Sequence, residues 1–259
     1  MSAPNLPRGE PGTSLPLMPD ATPDPLAALA SLEGVGSAMA GTRDGIDAML
    51  RDRGLRRTTA DLTGESLLRG AHASAVLEGS ASSLEESRAG SGDEVATAAL
   101  RVSTELMSLL PVLEHSPLQV LVRLHMTAAK GYVVDEDLGR PRADVDRGRL
   151  RSLASVLTGR TSAPGLVVAA VAHAEVLTLA PFVSHNGIVA RALERLVLVA
   201  RAVDPTSLTV PEAGHLANRP QYESNLRGYA QGGRSGVHAW LLYAAEAYAA
   251  GAEASPLKG

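Results

Sequence analysis

From Leu26 onward the apolar residues of this chain recur at helical spacing, and the alternating apolar and polar β-branched runs that mark strands are nearly missing. A chain patterned this way cannot build a sheet, so an all-α fold is expected. Helices are predicted at about Val95 to Leu110, Pro117 to Ala129, Arg147 to Leu157, Ala163 to Leu179, Asn186 to Val203, Pro220 to Ala230 and Gly236 to Gly251. Two short helices within residues 26–54 and one that ends at Gly79 precede them. The stretch "SASSLEESRAGSGDE" reads as a polar connection, and the acidic run Glu85 to Glu94 as a solvated loop. Residues 1–25 hold too few apolar side chains to offset their ordering entropy and read as a disordered tail. Residues 26–251 are expected to form one domain around a single core, and residues 252–259 a short disordered C-terminal tail.

Composition narrows the chemistry. There is no cysteine, which removes disulfides, thiolate nucleophiles and cysteine-held zinc or iron–sulfur centres. A net charge of −4 gives no global basic field for nucleic acid. The N-terminus lacks the basic and apolar regions of a signal peptide, and each apolar run, such as "LVVAAVAHAEVLTLA", stops short of spanning length. No membrane association and a cytoplasmic location are therefore expected. The abundance of Ala and Gly, with Lys130 and Lys258 the only lysines, fits a GC-rich bacterial coding sequence. Neither a P-loop nor a G-x-G-x-x-G pattern occurs.

The most informative stretch is "AEVLTLAPFVSHNGIVARALERLVLVA", Ala174 to Ala200. Pro181 ends one helix by forcing its predecessor out of the α region, and Asn186-Gly187 opens the next. The start of that second helix presents unpaired N–H groups and a partial positive charge, which suits an anion. Arg191 follows five residues after Asn186, and Phe182, the only Phe, sits where a loop needs an apolar pin.

The loop "LAPFVSHNGIVAR" resembles the Fic (Fido) signature H-P-F-x-[D/E]-G-N-G-R-x-x-R. Pro181, Phe182, Asn186, Gly187 and Arg191 keep the pattern. Ala180 stands in place of the family's catalytic His, Ser184 of its Mg²⁺-holding carboxylate, His185 of a glycine in the anion hole and Ile188 of its first Arg. Upstream, "ASAVLEG" supplies Ser74, Glu78 and Gly79 in the spacing of the family's inhibitory helix, [S/T]-x-x-x-E-[G/N]. Further echoes are "LVRLHMTAAKG" around His125, "GRPR" at Gly139 to Arg142, and "AHAEV" at Ala172 to Val176. Where the family carries a β-hairpin flap, "RGRLRSLASVLTG" has helical spacing, so the flap is expected to be reduced or replaced by helix.

The resemblance implies a Fic-like helical domain that holds ATP or another nucleotide at Ser184, Asn186, Gly187 and Arg191, with Glu78 able to bind Arg191 as an inhibitory clamp. An alanine takes no proton and a serine is a poor stand-in for a carboxylate on Mg²⁺, so ordinary adenylyl transfer and usual Mg²⁺ binding are not expected. A catalytically degenerate protein with a nucleotide or protein partner is the leading reading. Two alternatives stay open, a diverged nucleotidyl or phosphoryl transferase using His185 as base, and a ligand-free interaction module. His173 with Glu175 forms an H-x-E, but without the Cys pair of a zinc deaminase it reads as a surface or core helix residue. His125 reads as a hydrogen-bonded helix residue, His72 as a solvated position near the site, and His215 as a loop residue outside it.

Overall fold

The computed structural model describes residues 24–51 and 59–258, and every regular element among them is helical. The order is α1 (Pro25–Ala30), α2 (Val35–Arg51), α3 (Thr59–Leu77), α4 (Leu84–Ala89) and α5 (Glu94–Glu105), which passes through a 3₁₀ turn at Leu106–Leu109 into α6 (Leu110–Leu113). Then come α7 (Pro117–Ala129), α8 (Arg147–Thr158), α9 (Gly165–Leu179), α10 (Asn186–Ala200), α11 (Pro211–Ala217), α12 (Arg219–Gln231) and α13 (Gly233–Glu253).

The two helices that flank the Pro181 loop are the centre of the molecule. α9 is apolar on all sides, with Leu166 to Ala174 all buried, and a helix of that kind belongs inside a core. It packs along α10, which is buried almost throughout, while α3, α5, α7, α11 and α13 close around the pair. Trp240 of α13 is fully buried and donates its indole N–H to Ala170 O at 2.8 Å, so its ring is taken from water without an orphaned donor. Burying a side chain of this size contributes roughly 1.5–3 kcal/mol.

Local signals account for several helix starts. α7 begins with Pro117, whose missing N–H is not needed in a first turn. Asp146 caps α8 by accepting from the N–H groups of Gly148 and Arg149. α8 occupies the place where a flap hairpin was expected to be lost, and no strand is found among the described residues.

Four expectations need correction. The connection at Glu85 to Glu94 is not a plain loop, because Ser83 and Glu86 form a reciprocal capping box that starts α4. His215 lies on α11, not on a loop. The C-terminal segment is packed: α13 runs to Glu253, and Ser255 and Pro256 are buried. The continuous helical run Glu94–Leu113 is long and apolar enough on composition to cross a membrane, although here Ala98, Val102, Leu106 and Leu109 pack into the core. The expected N-terminal tail lies outside the described residues up to 23; Asp24 caps α1 and Pro25 begins it.

Candidate functional site

The Pro181 loop is held by its own backbone and by distant segments. Asn186 closes it: its side-chain Oδ1 accepts from Phe182 N–H at 3.0 Å, and its Nδ2 donates to Phe182 O at 2.8 Å. Arg142 ties the loop from outside, donating its backbone N–H to Pro181 O at 2.8 Å and its Nε–H to Ala180 O at 3.1 Å. Phe182 is buried and stacks on His125, ring centroids 4.2 Å apart and planes 3° from parallel. His125 Nδ1 in turn accepts the Gly139 N–H at 3.0 Å. Burial is the main force lowering the His125 pKa to about 4, with His185 adding to the fall and Asp137 opposing it. His125 is thus a neutral structural imidazole, and the segments around His125, Gly139 to Arg142 and Phe182 meet at this loop.

Two non-glycine residues of the loop adopt left-handed backbone, Ala180 at φ 43° and His185 at φ 57°. His185 is the residue before α10, and Ser184 Oγ lies 2.7 Å from its Nδ1. Its half-buried imidazole has a lowered pKa, driven by burial and opposed by the Glu78 carboxylate. The Tyr132 ring sits 5.3 Å away.

The clamp forms. α3 ends in a left-handed turn in which Gly79, at φ 97°, donates to Val76 O and Ser80 donates to Ala75 O. That turn stops the helix at Glu78 and leaves its side chain over the first turn of α10. Arg191 Nη2 donates to Glu78 Oε1 at 2.7 Å and to Ser74 O at 3.2 Å, Nε to Ser74 Oγ at 2.9 Å, and Nη1 to Tyr222 Oη at 3.2 Å. Arg191 is 1% exposed while the Glu78 side chain is 32% exposed, so the contact is a half-buried, single-point pair and not a bidentate one. Gly187 makes room for it: a Cβ there would overlap the Glu78 carboxylate and come within 3.0 Å of Arg191 Nη2. A negative group therefore already lies where the start of α10 and Arg191 favour an anion.

Behind the clamp is a polar core that the sequence reading missed. Tyr222 Oη connects Arg191 to His173 Nε2 at 2.8 Å. His173 Nδ1 lies 2.9 Å from Glu194 Oε1 but makes no hydrogen bond. Glu194 accepts from Tyr248 Oη at 2.7 Å and lies 3.1 Å from His215 Nε2, whose other nitrogen is 2.9 Å from Tyr243 Oη. His173, Glu194 and His215 are fully buried. Burial pushes the Glu194 carboxyl up, but the two imidazoles outweigh it and hold the group ionised. A separate buried pair joins Arg195 to Glu212 through two contacts of 2.9 and 2.6 Å, and Arg195 Nη1 also reaches Ser207 Oγ and Thr209 O. Charged residues inside the apolar run of α10, Glu194 and Arg195, were the available signal, since charge on an all-buried helix must find partners. His72 is half-buried on α3, its pKa lowered by burial and its Nδ1 without a hydrogen bond.

No protein-family model and no curated protein matches this chain. Solved structures do. A segment of Fic-1 from C. elegans superposes with a TM-score of 0.67 at 17% identity, over 89% of this chain and 73% of that one. A Fic family protein from Desulfovibrio desulfuricans G20 superposes with a TM-score of 0.61 at 18% identity, over 84% of this chain and 73% of that one.

Proposed function

We propose that this chain, which has the Fic fold, is a catalytically degenerate regulatory protein whose anion place at the start of α10 is gated by Glu78. The observation that carries the reading is the Glu78 to Arg191 contact lying over Gly187. A guanidinium with hydrogen-bonded partners on three sides, facing a helix N-terminus, is built to accept a phosphate once the carboxylate moves aside. Glu78 is the movable partner because part of its side chain reaches solvent. Proton abstraction is not assigned to the position of Ala180, which has no titratable group, and Ser184 offers a hydroxyl already engaged with His185.

The test is a thermal-stability panel of nucleotides, with and without Mg²⁺, on the native sequence and on Glu78→Gly. A ligand at one hundred times its Kd adds about 2.7 kcal/mol, a readable melting shift. A shift that appears only in Glu78→Gly supports a gated nucleotide site; if neither protein responds to any nucleotide, the anion reading is wrong.

A second reading is favoured by the 2.7 Å Ser184 to His185 contact, in which a neutral His185 serves as base in nucleotidyl or phosphoryl transfer. Label transfer from ATP by Glu78→Gly that disappears on adding His185→Ala supports it.

A further inference from the structure

Glu194 is a buried carboxylate without a cation of its own. Arg191 and Arg195 flank it on the same helix, yet each is hydrogen-bonded to another acid, Glu78 and Glu212. What faces Glu194 is a pair of imidazoles and a phenol, from α9, α11 and α13. An ionised carboxylate in a dry interior is expensive unless it is paired or coordinates a metal. His173 Nδ1 is the anomaly of the cluster, a fully buried nitrogen 2.9 Å from Glu194 Oε1 that forms no hydrogen bond with it.

We infer that His173, Glu194 and His215 form a structural site for a divalent transition-metal ion of the zinc type. Two imidazole nitrogens and a carboxylate oxygen are a donor set that Zn²⁺ accepts. The three ligand atoms lie within 4.8 Å of one another. An ion about 2.1 Å from each in tetrahedral geometry asks the widest pair to close to about 3.4 Å, a movement that rotations of the two imidazoles supply. Tyr248 Oη donates to Glu194 Oε1 at 2.7 Å and so orients the ligating carboxylate.

The outer contacts fit the same reading. A metal on His173 Nδ1 leaves Nε2–H to donate to Tyr222 Oη at 2.8 Å, and a metal on His215 Nε2 leaves Nδ1–H to donate to Tyr243 Oη at 2.9 Å. Metal-bound imidazoles are oriented in this way by a partner on the second nitrogen. With all three ligands fully buried, substrate has no access, so the ion would pin α9, α10 and α11 together and not act in a reaction. Tyr222 links this site to Arg191, so its occupancy would also stiffen the floor beneath the clamp.

The experiment uses full-length protein freed of any purification tag. It is exposed to Zn²⁺, dialysed exhaustively and measured for bound metal by elemental analysis; Co²⁺ replaces zinc in a parallel sample for its visible absorption. One ion per chain, a lower melting temperature after chelation and recovery on adding Zn²⁺ are expected, with His215→Gln losing the ion while keeping its helical circular dichroism. Should His215→Gln fail to fold, the native-sequence titration with Co²⁺ decides, because bands of a low-symmetry N,O site appear only if the ion is held there. Folded protein that retains no metal and melts at the same temperature with chelator or zinc overturns the inference. Metal that persists in His215→Gln and in His173→Gln overturns it as well.

Discussion

Replacing Gly187 by Ala tests the clamp by steric means, without removing a charge. The added Cβ would overlap the Glu78 carboxylate, so that group must leave, and its partial exposure gives it a route into solvent. Arg191 then keeps Ser74 and Tyr222 but loses its charged partner. Loss of one hydrogen bond between charged groups costs about 1.5–3 kcal/mol, and the better helix propensity of Ala returns up to about 1 kcal/mol. The net expectation is a destabilisation of about 1–2 kcal/mol in urea denaturation, or a melting temperature lower by roughly 2–4 °C per kcal/mol. A double-mutant cycle isolates the contact: Glu78→Gln should destabilise the native sequence but do almost nothing once Gly187→Ala is present. If Glu78→Gln costs the same in both backgrounds, or if Gly187→Ala gains the full propensity of Ala, then Glu78 does not lie over Gly187 in solution.

Other expectations follow from neighbouring groups. Glu212→Gln should destabilise by about 3–5 kcal/mol, more than Glu78→Gln, because it strands Arg195 in a fully buried pair; equal losses in denaturation would contradict this ranking. Ser74→Ala removes the acceptor of Arg191 Nε and should cost about 1–3 kcal/mol by the same measurement. Hydrogen bonding from Arg88, opposed by burial and helped by Arg69, holds the Glu65 carboxyl at about 2, below its ordinary 4.5. A lowered folded-state pKa gives stability that is complete above the unfolded value and lost as pH falls, so Glu65→Gln should flatten the decline of stability between about pH 4.5 and 2. The His125 imidazole, lowered to about 4, should show no NMR titration between pH 8 and 5, and a midpoint near 6.5 would refute its buried stack on Phe182.

The parts of this molecule that were legible from sequence are those governed by local rules. Pro117 at the start of α7 and Pro181 after α9 mark those boundaries, and α7 runs over the expected Pro117–Ala129. The spacing of Ser74, Glu78 and Gly79 also carried its geometry, since a left-handed Gly79 must stop α3 where Glu78 can turn toward α10. α4 was missed although its Ser83 and Glu86 form a readable capping box, because the acidic composition around it outweighed the cap. His215 and Glu194 were missed for a different reason. They are 21 residues apart, on different helices, and nothing in one-dimensional spacing brings them within 3.1 Å of each other. The mutual enclosure of α9, α10, α11 and α13 does that, and it is a property of the packed chain.

Asn186, by bonding both ways to the backbone of Phe182, closes the Pro181 loop by contacts in which the side chains of Ala180 and Ser184 take no part. Form and reactivity are thus written in separate letters of one short word. The residues that fix the path of the chain are Arg142, Phe182 and Asn186, with Ile188 anchoring the start of α10 in the core. A loop organised in this way can fall silent without falling apart, and new side chains could be grafted onto it without teaching the backbone a new route.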